Sequence, residues 1–201
     1  MNKIMAAIII FASIILTTIL SGCQEELPEQ HLTMHWGILE EVRGFEGIPR
    51  DPEGAEVELV DEDTMRVEWH TEESYLLPIS ATSEIEMEGV RYRGSGIPAY
   101  LELEWLNPWE EQWYDLEEIP ADMIRAEIEE ENGLITIDFG PPEGADFEED
   151  TIRVIWFRIT PTDPGEFSFN IYGYLPEGEE GDLSHGRVSN ILTLQAEVTE
   201  R

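Results

Sequence analysis

The chain has one cysteine, Cys23, and one lysine, Lys3. A lone cysteine excludes a disulfide within one chain and a thiol redox pair, so stability must come from a packed core. Basic residues are scarce: 11 Lys and Arg stand against 45 Asp and Glu, for a formal charge of −34. Phosphate backbones demand Lys and Arg patches, so nucleic acid is not an expected partner. The chain also lacks a Gly-x-Ser-x-Gly elbow, a His-Glu-x-x-His pair, a glycine-rich phosphate loop and the spaced Asp-x-Asp-x-Asp-Gly calcium loop. No catalytic residue, metal ligand set or cofactor is therefore expected, and the protein reads as something other than an enzyme. Long apolar runs are missing as well, with one exception.

That exception follows Met1-Asn2-Lys3 and extends from Ile4 to Ile19, interrupted by Ser13 and Thr17-Thr18. It has the charged start and short apolar middle of a secretory signal, and at about 17 residues it sits at the lower limit for a spanning helix. Leu20-Ser21-Gly22-Cys23 closes it. Small residues at Ser21 and Gly22 suit a peptidase that needs extended backbone, and Cys23 supplies a thiolate that can be alkylated. The tetrapeptide resembles the lipobox of bacterial lipoproteins, matched at all four positions. The resemblance implies cleavage between Gly22 and Cys23, a diacylglycerol thioether on Cys23 with fatty-acyl chains such as palmitate, and residence on the extracytoplasmic face of the cell membrane. Each buried methylene contributes ~0.8 kcal/mol, and two chains hold firmly where one does not.

Beyond Cys23 every cation is Arg, and the acids alternate with apolar residues, as in Ala55-Glu56-Val57-Glu58-Leu59 and Leu101-Glu102-Leu103-Glu104-Trp105. Alternation of this kind marks strands with one wet face. Arginine as the sole cation in so acidic a body resembles proteins exported by halophiles; ordinary solubilising acidity is the alternative.

Along the chain, residues 1–22 read as signal peptide and 23–33 as a polar tether in which Pro28 discourages helix. Residues 34–95 form an N-terminal β region with strands expected at Trp36–Val42, Glu56–Val60, Thr64–His70 and Glu84–Arg93. The second and third make a hairpin across Asp61-Glu62-Asp63, and Gly44–Gly54 is a loop. Ile85 and Met87 are on one phase and Val90 and Tyr92 on the other, so Gly89 marks a turn or a bulge. Arg93-Gly94-Ser95-Gly96-Ile97-Pro98 is the candidate boundary before a domain at 98–199. There strands are expected at Tyr100–Leu106, Met123–Glu130, Leu134–Phe139, Ile152–Thr160, Glu166–Tyr174 and Val188–Val198. Asn132-Gly133 predicts a type I′ hairpin turn. Ile152–Ile159, the most apolar run, should be central.

Short strands at about ten-residue spacing predict an all-β chain and an antiparallel β-sandwich. Thr162-Asp163-Pro164-Gly165-Glu166-Phe167-Ser168-Phe169-Asn170-Ile171-Tyr172 and Val188-Ser189-Asn190-Ile191-Leu192-Thr193-Leu194 resemble the last two strands of immunoglobulin-like domains of exported bacterial proteins. That resemblance implies an immunoglobulin-like fold for 98–199 and carries over no functional residue. Residues 34–95 are then either a second small β domain or extra strands of the same sandwich.

Asn107 to Leu116 reads as the one helix, with Asn107 capping, Pro108 in the first turn, and Trp109 and Trp113 four apart on one face. Trp109, Trp113 and Tyr114 form a candidate ligand platform for a sugar ring or partner protein, or a plug over the end of the sandwich. Trp36, Trp69, Trp105 and Trp156 fit strand packing. Asp146–Asp150, Asp61–Asp63 and Glu177–Asp182 are oxygen-rich turns, read as solvated rather than calcium-binding. His31 and His35 share a face at helical spacing beside Met34 but lack a third ligand; His70 and His185 stand alone. The functional expectation is a lipid-anchored, non-catalytic binding or structural module of the cell envelope. Its partners are the membrane, through the lipid on Cys23, and an envelope protein or glycan. A carbohydrate- or calcium-dependent adhesion module and a hydrolase are the alternatives.

Overall fold

The computed structural model describes residues 31–40, 42, 48–107, 110–116, 118–120, 122–149, 151–176 and 186–201. The signal segment, Gly22, Cys23 and the tether up to Gln30 lie outside the described residues. In chain order the strands are β1 (Leu32–Trp36), β2 (Glu56–Leu59), β3 (Thr64–His70), β4 (Tyr75–Ser83), β5 (Met87–Pro98), β6 (Leu101–Asn107) and β7 (Gln112–Asp115). They continue with β8 (Arg125–Glu131), β9 (Leu134–Gly140), β10 (Ala145–Phe147), β11 (Ile152–Pro161), β12 (Gly165–Tyr174) and β13 (Leu192–Thr199), with no helix among the described residues.

Two sheets result. One has the order β1-β4-β11-β6-β7; the other has β2-β3-β13-β12-β5-β9-β8, with β10 pairing β5. All pairs are antiparallel except β3 with β13. The alternation read from the sequence provides each inner face. Met65, Val67 and Trp69 of β3, Leu77 and Ile79 of β4, Phe157 and Ile159 of β11, and Leu192 and Leu194 of β13 meet in one buried cluster. Burying each such side chain contributes roughly 1.5–3 kcal/mol. The protein is an all-β sandwich.

Several expectations hold in detail. β3 spans Thr64–His70 and pairs β2 as a hairpin, and β11 lies third of five in its sheet. Asn132 and Gly133 have φ of 56° and 76° between Glu131 and Leu134, the positive values a type I′ turn requires. The phase slip at Gly89 is a bulge: φ there is +73°, and Met87 and Val90 are both buried. The segment from Ile48 to Gly54 is irregular, as the expected loop requires.

Others are corrected. The first strand is Leu32–Trp36, not Trp36–Val42, because Gly37 at φ +85° turns the chain away; the tether therefore ends before residue 33. Glu84 and Ile85 bend, so the strand expected from Glu84 starts at Met87. Between them β4 escapes sequence reading because Pro78 interrupts the run, and Pro removes a ladder donor. Pro78 is tolerated because its carbonyl accepts from Gly37 N, where β1 ends, so the missing donor faces no further ladder. The segment Arg93–Pro98 is not a linker but the second half of β5, with a further bulge between Gly94 and Ile97. Strands of 34–95 and of 98–199 occupy both sheets, so the N-terminal strands belong to the same sandwich.

Candidate functional site: a cavity between the sheets

The ladder between β6 and β11 stops at Trp105↔Phe157. Past that point β6 runs on to Asn107 beside β7 alone, while β11 runs back to Ile152 beside β4 alone. In the opposite sheet β9 leaves β5 at Tyr92↔Phe139, the chain turns through Pro141 to Gly144, and β10 rejoins β5 at Ala145↔Val90. Two ladders thus part at the same level, and a cavity of about 460 Å³ opens between them. That lies within the usual range for ligand pockets, about 300–1,000 Å³.

The floor is buried: Tyr92 is 3 % exposed, Asn107 6 % and Trp105 7 %. Ala145, Val154 and Ile155 continue the wall, and Met123 and Ile124, half-buried ahead of β8, close one side. Pro141, Asp146 and Arg153 are exposed and make the rim. Arg153 fastens it by donating Nε and Nη2 to the Asp146 carbonyl at 3.1 and 2.7 Å, and Asp146 Oδ1 accepts from Gly89 N at 3.1 Å. Gly144 is required for this closure, since a Cβ there would lie 2.3 Å from the Gly89 carbonyl carbon.

At the floor the Tyr92 ring stacks on Phe139 at 5.5 Å, and Phe139 meets Phe157 edge-on at 5.0 Å. The Tyr92 hydroxyl has no hydrogen-bond partner among the described residues. Burial pushes this phenol well above its ordinary value, opposed by the Arg153 guanidinium, so the group stays protonated. Asn107 donates from Nδ2 to Glu110 Oε2 at 3.0 Å and to Met123 Sδ at 3.8 Å, tying the end of β6 to the turn before β7 and to the segment ahead of β8.

The residues singled out from sequence fall elsewhere. Asn107 to Leu116 is not a helix: Glu111 adopts φ 53° in a tight turn, and β7 folds back on β6 with Leu106↔Trp113 and Trp105↔Tyr114 in register. Adjacent strand residues point to opposite faces. Tyr114 packs inward on Trp105 at 6.3 Å, while Trp113 faces out under the Arg158 guanidinium at 4.6 Å, which also forms a two-pronged pair with Glu104. Trp113 and Tyr114 therefore share no platform, and Trp109 lies outside the described residues. Trp36, Trp69 and Trp105 pack with the core and Trp156 is buried on the other face of β11.

His31 and His35 are at the edge of a sheet rather than on a helix, and His70 Nδ1 meets Thr199 Oγ1 at 2.9 Å. Asp61 accepts from Asp63 N and Thr64 N at 2.9 and 2.7 Å, bonds that hold its carboxyl below the usual range. Among the described residues no three His, Cys, Asp or Glu side chains converge to hold a metal; Asp150, 177–182 and His185 lie outside them. Sequence reading missed the cavity because it depends on where ladders stop. The available signal was the pair Gly89 and Gly144, which permits two backbones to touch.

No protein-family profile matches the chain, and no curated protein matches it. Solved structures similar to it include a cohesin module of a family 33 glycoside hydrolase from Clostridium perfringens, at 11 % identity over 74 % of this chain and 97 % of that one, TM-score 0.42. The cohesin of the OlpA–Doc918 complex from Clostridium thermocellum is 9 % identical over 85 % and 100 %, TM-score 0.41. The CARDB domain of PF1109 from Pyrococcus furiosus is 12 % identical over 86 % and 97 %, TM-score 0.35.

Proposed function

We propose that this protein is a lipid-anchored, extracytoplasmic binding module that offers the inter-sheet cavity to a small molecule and performs no chemistry on it. The cavity carries the binding half of this reading: a ligand-sized space with a largely apolar wall, opened where two ladders part. Its ionisable rim groups, Asp146 and Arg153, are already engaged in holding β10 against β5 and β11. The lipobox-like Leu20-Ser21-Gly22-Cys23 supports the anchor.

Each half has its own test. In cells, the chain should partition into the detergent phase and yield an N-terminal peptide bearing a diacylglycerol on Cys23; Cys23→Ala should move it to the aqueous phase. Recovery of intact residues 1–22 removes the anchor from the reading. Among the described residues every strand lies within 32–199, so residues 24–201 include both sheets. That fragment should take up one equivalent of the neutral fluorophore N-phenyl-1-naphthylamine, and Ile124→Trp, which fills the cavity from its half-buried side, should abolish uptake. Absence of saturable uptake removes the binding half.

A further inference from the structure

The larger sheet ends at β2, and this edge differs from the other three. Across the hairpin, Val60 N donates to Thr64 O at 2.9 Å and Ala55 N to Glu68 O at 2.8 Å. Antiparallel ladders alternate bonded and non-bonded pairs. With Val60 bonded to Thr64, Glu58↔Arg66 and Glu56↔Glu68 are the bonded pairs, and Val57 and Leu59 turn their N–H and C=O groups away from β3. Among the described residues no strand other than β3 pairs β2. At the edge formed by β1, by contrast, Asn190 takes both backbone groups of Met34.

The side chains of β2 are equally unfinished. Val57 and Leu59 share a face with their partners Val67 and Met65, which are buried in the core. Val57 is nevertheless 41 % exposed and Leu59 63 %, so the apolar layer of the sandwich runs to this edge and ends uncovered. The edges at β7 and β8 present no exposed large apolar side chain among the described residues. On the other face of β2, Glu56 and Glu58 are exposed, and Glu56 already faces Glu68. A second copy of β2 laid here would set Glu against Glu in a body of charge −34, whereas a strand of opposite sign meets no such repulsion. We infer that β2 accepts an added strand from a separate protein: an extended segment alternating apolar residues, which continue the layer of Val57 and Leu59, with Arg or Lys, which face Glu56 and Glu58. The outward backbone groups of Val57 and Leu59 hold it, and the two glutamates select its sign. β2 contributes nothing to the inter-sheet cavity, so this surface and the cavity stand or fall separately.

The probe is a short peptide alternating arginine and valine, titrated against the full chain in phosphatidylcholine nanodiscs with the signal of empty discs subtracted. It should bind saturably, and a peptide alternating glutamate and valine should not. Glu56→Gln combined with Glu58→Gln should weaken binding severalfold. Leu59→Pro removes an outward N–H without breaking a bond to β3, and should weaken binding about three- to tenfold, the worth of one hydrogen bond. Two further peptides leave the protein unaltered and carry N-methyl groups either on the valine amides or on the arginine amides. An added strand turns one set of amides toward β2 and the other away, so one peptide should lose binding and the other keep it. Equal affinity of the two methylated peptides is the result of charge attraction alone, and overturns the proposal. Absence of saturable binding by the parent peptide, or equal binding of the glutamate peptide, overturns it as well.

Discussion

Asn190 uses one side chain where a sheet would use a residue of backbone. Its Oδ1 accepts from Met34 N at 2.7 Å, its Nδ2 donates to Met34 O at 3.0 Å, and Nδ2 also reaches Asp63 Oδ1. Beside it the Ser189 hydroxyl accepts from Gly173 N at 2.7 Å. Asn190 thus clips β1 to the segment ahead of β13, and Ser189 fastens the same segment to β12. Asn190→Ala strands both backbone groups of Met34, and should lower stability by about 2–3 kcal/mol, read as an earlier denaturation midpoint at unchanged slope. The Ser-Asn pair was visible in the sequence, but its partner Met34 is 156 residues away, a distance no local pattern spans. A second residue-scale prediction concerns alkali. Burial raises the phenols of Tyr75, Tyr92, Tyr100 and Tyr174 above the ordinary value. The native state then holds these protons more tightly than the unfolded chain does, so stability is unaffected below about pH 10 and falls as pH rises past it. Tyr92→Phe should flatten that fall in thermal melts taken from pH 9 upward.

At the scale of elements, β5 organises the larger sheet and owes its shape to glycine. Gly89 and Gly96, at φ +73° and +75°, insert two bulges, and Gly94 leaves room for Ile97, whose Cδ1 would lie 2.9 Å from a Cβ there. Gly144 has φ +85° and touches Gly89. Gly144→Ala should cost about 2–4 kcal/mol through overlap and a disfavoured backbone, measured by urea denaturation, and should detach β10 from β5. These glycines explain where sequence reading succeeded and failed. Asn132-Gly133 was legible because a two-residue turn is a local property, as was the alternation of β3. The cluster at 93–98 looked like a boundary because bulge chemistry and linker chemistry use the same residues. Asn107 to Leu116 looked helical because a cap, an early Pro and two Trp four apart satisfy helical spacing. The competing hairpin is set by cross-strand partners on β6, and its turn forces Glu111 into a positive φ.

At the scale of the whole molecule, charge opposes a core that has no covalent staple. Some acids even face each other across ladders, as Glu56↔Glu68 and Glu166↔Glu197 do, and like charges so placed are destabilising. Arginines are used sparingly against this: Arg93 grips Asp138 through two 2.6 Å bonds and lies over Tyr174 at 5.0 Å. Screening lengths shrink from roughly 30 Å at 0.01 M salt to roughly 3 Å at 1 M. Melting temperature should therefore climb from low to molar salt in calorimetry, and a flat response would mean that the acids do not repel across the folded surface. One feature of the topology reaches into biosynthesis. β13 sits between β3, which it joins in parallel, and β12. β3 is made far earlier than this bridging strand and β12 directly before it, so the two halves of the larger sheet stay unjoined until residues 192–199 are made. Closing the larger sheet thus waits on the last of the described strands, and a chain cut before Leu192 should leave β3 and β12 each with a bare edge.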